Sequence, residues 1–146
     1  MQTAHIGINV TNLDRSTSFY SEVFGLSPMG GSDAPPRRFA FLGDGENLVL
    51  TLWEQSEGRF ESTRPGLHHL SFMVPSLDRV REAEKKLLLR GTPFKYEGIV
   101  AHIEGAASGG IYFEDPDGTR LEIFTPGGVD AVESKTKTHG PACGFF

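Results

Sequence analysis

Cysteine is almost absent: the chain of 146 residues has one, Cys143, which forms no internal disulfide and gives no sign of an oxidising compartment. Long apolar runs are missing too. None approaches the roughly 20 residues needed to cross a bilayer, and the opening residues lack the basic and then hydrophobic layout of a secretory signal. A soluble cytoplasmic protein with no membrane partner is therefore expected. Positive charge is scarce, with 14 Lys and Arg against 19 Asp and Glu and a formal net charge of -5. No Lys/Arg stripe offers itself to phosphates, so nucleic acid is not an expected partner. The length suits one ordinary domain and is too short for two large independent cores.

What the chain does have is a segment that occurs twice. His5-Ile6-Gly7-Ile8-Asn9-Val10-Thr11-Asn12-Leu13-Asp14-Arg15 returns 64 residues later as His69-Leu70-Ser71-Phe72-Met73-Val74-Pro75-Ser76-Leu77-Asp78-Arg79. His, Val, Leu, Asp and Arg match, and both copies are apolar at the second and fourth places. Two copies that each begin with histidine point to a site built from both.

In each copy the residues after His alternate as in a strand, then change to helical spacing. The spacing predicts a helix over residues 13–24, capped by Asn12 and stopped by Gly25, with Phe19, Tyr20, Val23 and Phe24 on one face. A second is predicted over residues 77–90, capped by Ser76 and followed by Gly91, with Val80, Ala83, Leu87 and Leu88 inward. Extended stretches follow at 27–30, 38–42 and 48–53, then at 92–103, 111–114 and 120–124. Asp44-Gly45 and Asp117-Gly118 mark the last hairpin of each half. Each half thus reads as βαβββ: module one at about 4–54, a polar linker at 55–66, module two at about 67–126, and a tail at 127–146. Residues 31–36 read as a surface loop, and Phe145 and Phe146 are suited to docking the tail.

Side chains two apart on a strand share a face, so His5 lies with Gly7 and Asn9, and His69 with Ser71 and Met73. Both histidines are on the less apolar side. Glu122 faces opposite to Leu121 and Ile123, and a carboxylate between apolar neighbours is costly to bury without a partner. Two imidazoles and a carboxylate, His5, His69 and Glu122, form a three-ligand set suited to a divalent transition metal with positions left for substrate. Trp53 and Phe124 share the ligand face of their strands, with Asn9, Thr51, Ser71 and Met73 as smaller wall residues. Such a lining suits a planar organic ligand held by stacking.

Phe19-Tyr20-Ser21-Glu22-Val23-Phe24-Gly25-Leu26 and Ile111-Tyr112-Phe113-Glu114-Asp115-Pro116-Asp117-Gly118-Thr119-Arg120-Leu121-Glu122 carry a closer likeness. With the repeated His segment they make the chain resemble the vicinal oxygen chelate superfamily, which includes glyoxalase I, bleomycin-resistance proteins, fosfomycin-resistance enzymes and extradiol dioxygenases. The resemblance implies an α+β fold: a single domain of two tandem βαβββ modules forming a cupped mixed sheet around the site. It implies metal ligands on first and last strands, where His5, His69 and Glu122 stand, and a homodimer.

The family's fourth ligand position falls, counted from the Asp-Gly turn, on Val49, which is no ligand. Glu54 faces the other way unless a bulge inverts the strand. This departure disfavours a glyoxalase-like lyase or isomerase, for which nickel or zinc would be the metal. The two-His, one-carboxylate set instead resembles the extradiol dioxygenases, which use iron(II), and the fosfomycin enzymes, which use manganese. The stretch Glu104-Gly105-Ala106-Ala107-Ser108-Gly109-Gly110 has no Lys or Arg for a phosphonate. The resemblance thus implies a metal-dependent, dioxygenase-like oxidoreductase acting on a small aromatic or polyketide-like substrate with vicinal oxygens. His102 is the acid or base candidate, with His68 and His139 behind it. The competing expectation is a non-catalytic binding protein of the bleomycin-resistance kind that sequesters an aromatic metabolite.

Overall fold

The protein is seen here in a computed structural model that describes residues 3–131 and Phe145. The expected βαβββ order occurs twice, in compact units Met1–Phe60 and Glu61–Phe146. The first contains β1 (Ile6–Val10), α1 (Leu13–Phe24), β2 (Ser27–Ser32), β3 (Phe39–Gly43) and β4 (Leu48–Glu54). The second contains β5 (Leu70–Met73), α2 (Leu77–Leu89), β6 (Val100–Ala101), β7 (Gly109–Glu114) and β8 (Arg120–Thr125), followed by a 3₁₀ turn at Val129–Ala131. Each unit is a four-stranded mixed sheet, ordered β1-β4-β3-β2 and β5-β8-β7-β6. In each, the first strand runs parallel to the last and the other pairs are antiparallel.

The helices follow from their caps and stripes. Asn12 accepts the Arg15 N–H at 2.9 Å and starts α1. Gly25, at φ 71°, ends it in the left-handed conformation that glycine adopts without strain. Between the caps, Leu13, Phe19, Tyr20 and Val23 are buried, and α1 packs on β3 and β4. In α2 the Ser76 side chain makes no capping bond. Val80, Ala83 and Leu87 are buried, whereas Leu88, expected inward, is 63% exposed. It lies about 100° around the helix from Leu87 and so leaves the stripe.

Two strand expectations change. Residues 31 and 32, read as loop, continue β2, where Gly31 pairs with Ala40. A Cβ on Gly31 would stand 2.4 Å from the Phe39 carbonyl oxygen, so here glycine permits pairing. Of 92–103, read as extended, only Val100–Ala101 joins the sheet, with an isolated bridge from Phe94 to Phe113. Gly98, at φ 74°, turns the chain between them.

The turns before β4 and β8 are built by one aspartate each. Asp44 Oδ1 accepts the N–H groups of Glu46 and Asn47 at 3.0 and 2.8 Å. Asp115 Oδ1 accepts those of Asp117 and Thr119 at 2.9 and 2.8 Å, in a buried setting. Asp115→Ala therefore strands two buried donors; we expect a loss of about 2–3 kcal/mol in urea unfolding. His139, Cys143 and Phe146 lie outside the described residues.

Candidate functional site

Glu122 is the centre of the second unit's cluster of polar side chains. In β8 it pairs with Ser71 of β5 on one side and Tyr112 of β7 on the other, so all three share a face. It is 5% exposed. His69 enters from just before β5, and His102 from just after β6, where its N–H bonds to the Ser108 carbonyl at 3.1 Å. Glu122 Oε1 lies 2.7 Å from His102 Nε2, while Oε2 lies 3.6 Å from His69 Nε2. His102 Nδ1 is 3.0 Å from Ser108 Oγ, so both of its ring nitrogens are engaged.

Burial alone would push the Glu122 carboxyl up, but hydrogen bonding, chiefly from His102, holds it below its ordinary value. His69 moves down, chiefly through burial, with His68 and Arg120 acting in the same sense against the pull of Glu122. An ionised carboxylate beside a neutral imidazole are the protonation states metal ligands need.

His68 Nδ1 lies 2.8 Å from His69 Nδ1, so one ring donates to the other. In the tautomer where His69 is that donor, its Nε2 turns a lone pair towards Glu122 Oε2. Two acceptors 3.6 Å apart make a poor hydrogen bond but a fitting edge for a cation, since metal–nitrogen and metal–oxygen bonds of about 2.1 Å put neighbouring ligand atoms roughly 3.0–3.6 Å apart. Donor chemistry and spacing therefore fit a divalent ion. Among the described residues no three His, Cys, Asp or Glu side chains are already gathered around one point; His69 and Glu122 are the pair the second unit brings together.

In the first unit His5 precedes β1 and is exposed, on the face of the equally exposed Gly7 and Asn9. The register corrects the position expected to match Glu122. Ser71, two residues after His69, pairs with Glu122, whereas Gly7, two residues after His5, pairs with Thr51. The counterpart is therefore Thr51 and not Val49. Counting from the Asp-Gly turns fails because the equivalent turn-building aspartates are Asp44 and Asp115, two residues before Asp117, and Thr51 and Glu122 stand at the same distance beyond them. Thr51 is buried, and its Oγ1 accepts the Trp53 Nε1–H at 3.1 Å.

Glu54 has a different duty. Its Oε2 accepts the Leu13 N–H at 2.6 Å at the start of α1, and Arg38 Nη1 reaches its two oxygens at 3.1 and 2.8 Å. The carboxylate thus faces the helix. Glu54→Ala removes an anion from the helix N-terminus, and we expect a cost of about 1 kcal/mol in thermal unfolding with metal affinity unchanged.

The corresponding face of the first sheet is aromatic. Trp53 stacks on Phe39 at 5.1 Å and meets Phe41 edge-on at 6.3 Å, while Asn9 Oδ1 accepts from Gln55 Nε2 at 2.9 Å. In the second sheet Phe124 lies 5.3 Å from the His102 ring, and Ser71 and Met73 are exposed. Phe39, Phe41, Tyr112 and Ser108 escaped the sequence reading, while His68, read there as an acid or base candidate, stands against the His69 ring. Apolar residues occupy both faces of β3, so period-two alternation gives Phe39 and Phe41 no distinguishing mark.

A family model described as "Glyoxalase/Bleomycin resistance protein/Dioxygenase superfamily" matches residues 2–123. The trivalent organoarsenical cleaving enzyme of Bacillus sp. (strain MD1) is 30% identical over 145 residues, covering 98% of this chain and 83% of that one. The catechol-2,3-dioxygenase of Bacillus subtilis (strain 168) is 27% identical over 128 residues, which are 84% of this chain and 42% of that protein. Among solved structures, a glyoxylase/bleomycin resistance protein/dioxygenase domain from Frankia sp. EAN1pec superposes with a TM-score of 0.72 at 25% identity. The superposition covers 86% of this chain and 97% of that domain. With its two βαβββ units and a match along nearly its whole length, the chain belongs to the Glyoxalase/Bleomycin resistance protein/Dioxygenase superfamily.

Proposed function

We propose that the chain is a metal-dependent enzyme that holds one divalent ion through His5, His69 and Glu122. The reaction is dioxygenase-like, on a small aromatic or polyketide-like substrate with vicinal oxygens. The observation that carries this reading is the Glu122–His69 pair: an ionised carboxylate and a neutral imidazole 3.6 Å apart on one sheet face. A bound ion supplies Lewis acidity, polarising two neighbouring oxygens of a substrate and stabilising the anion they form. Iron(II) suits a set of two imidazoles and one carboxylate best, with manganese, nickel and zinc as alternatives.

The chain's own residues supply the rest. His68 orients His69; His102 and Ser71 hold Glu122 ionised; His102 also holds or moves a proton at Nε2. Trp53, backed by Phe39, offers a flat face to a ring, with Asn9, Thr51, Ser71, Met73 and Phe124 as the other contacts. Thr51, at the place matching Glu122, leaves that face of the first sheet without a second carboxylate, which disfavours lyase or isomerase chemistry that relies on one. A trivalent arsenical is soft and thiol-seeking. One cysteine in the sequence gives no thiol pair to receive it, so the arsenical of the relative is not carried over. The ring dihydroxyls implied by the other relative's name fit the donor set.

The test is anaerobic loading with iron(II), then addition of catechol and oxygen. The proposal expects oxygen uptake matched by a ring-opened product, both abolished by a chelator. Tight catechol binding that a chelator leaves unchanged, with no oxygen uptake, would mark a sequestering protein instead.

A further inference from the structure

One ring on the Glu122 face does not come from the sheet. Phe145 is 6% exposed and touches residues associated with all four strands of the second unit. Its ring meets Tyr112 edge-on at 5.5 Å and the His69 ring at 5.8 Å. The Arg120 guanidinium carbon lies 5.4 Å from its centroid, and it clusters with Val100. Tyr112 is the cross-strand partner of Glu122, Arg120 is two residues before Glu122, and Val100 pairs with Gly110. All of them therefore belong to the face that presents the carboxylate.

Phe39 pairs with Trp53 in the first sheet, and Gly110 pairs with Phe124 at the matching place in the second. The first sheet thus furnishes its own ring where the second has a glycine closed off by the β8 backbone, since a Cβ on it would stand 2.1 Å from the Ile123 carbonyl oxygen. The ring on the second sheet's face is instead Phe145, seated beside His69 between the Tyr112 edge and the Arg120 guanidinium.

We propose that Phe145 stands where the ring of an aromatic ligand goes, so that the chain competes with its own ligand for the place beside His69 and Glu122. This rests on the aromatic substrate class proposed above, and it adds an identified internal competitor. A ligand must displace a buried phenyl side chain. That burial corresponds to about 10- to 100-fold in an equilibrium constant, by which the apparent affinity is reduced.

The experiment is a fluorescence titration with naphthalene-2,3-diol, a flat ring with vicinal oxygens. It uses wild type, Phe145→Ala and Phe145→Leu, each metal-free and metal-loaded, with thermal melts to establish folding. Both variants should bind the diol more tightly than wild type, Phe145→Ala by about 10-fold or more, and the gain should appear in the metal-free protein as well. Metal affinity, measured in parallel, should be the same in all three. Unchanged or weaker diol binding in the folded variants would overturn the proposal and make Phe145 a wall or packing residue. Failure of the metal reading alone would show as absent metal binding in all three proteins while the metal-free gain persists.

Discussion

Replacing Glu122 with Gln is expected to lower divalent-metal affinity by more than about 100-fold, beyond the 10- to 100-fold typical of residues that only support a ligand. The substitution keeps size and shape but removes the charge, and it places an amide N–H₂ where only acceptor oxygens stood. Glu122 Oε1 now lies 2.7 Å from His102 Nε2, with Oε2 towards His69. An amide turns its N–H₂ towards one of these two imidazoles, so at least one of the contacts is lost. The measurement is competition for the ion against a chelator of known affinity, with circular dichroism as a check on folding. Retained affinity would remove Glu122 from the ligand set.

A substitution one residue away acts on the fold and spares the site. Leu121 is fully buried on the opposite face of β8 from Glu122, the side against which α2 packs. Leu121→Ala should cost about 2–5 kcal/mol through lost transfer energy and the cavity left behind. For a domain of this size that lowers the thermal midpoint by about 10 °C. Below the transition, metal affinity should stay within a few-fold of wild type, because the backbone pairing of Glu122 with Ser71 and Tyr112 does not depend on the leucine. Together the two variants separate the core-facing side of β8 from the side that carries the chemistry.

Much of this was legible in the sequence because it is written twice. The strand-to-helix change after His5 and after His69, and the hairpin turns marked by Asp44-Gly45 and Asp117-Gly118, depend on short-range signals that period and turn chemistry expose. Other features were hidden because they depend on partners far along the chain. The two-residue displacement from Val49 to Thr51 arises because Asp115, and not Asp117, is the turn-building counterpart of Asp44. Glu54 was read correctly as facing away from the ligand side, yet its partners, Arg38 and the start of α1, are set by packing. His68 gains its role from a neighbouring ring nitrogen, a geometry that adjacency alone does not reveal. Phe145 was legible as an anchor for the tail, but its place beside His69 requires the folded face.

The most direct test is elemental analysis of protein loaded with iron(II) and desalted, comparing wild type with His5→Ala, His69→Ala and Glu122→Gln. One equivalent of metal in the wild type, lost in each variant while the fold is kept, is the predicted result. Full metal retention in His5→Ala, or no retained metal in the wild type, would contradict the three-residue site.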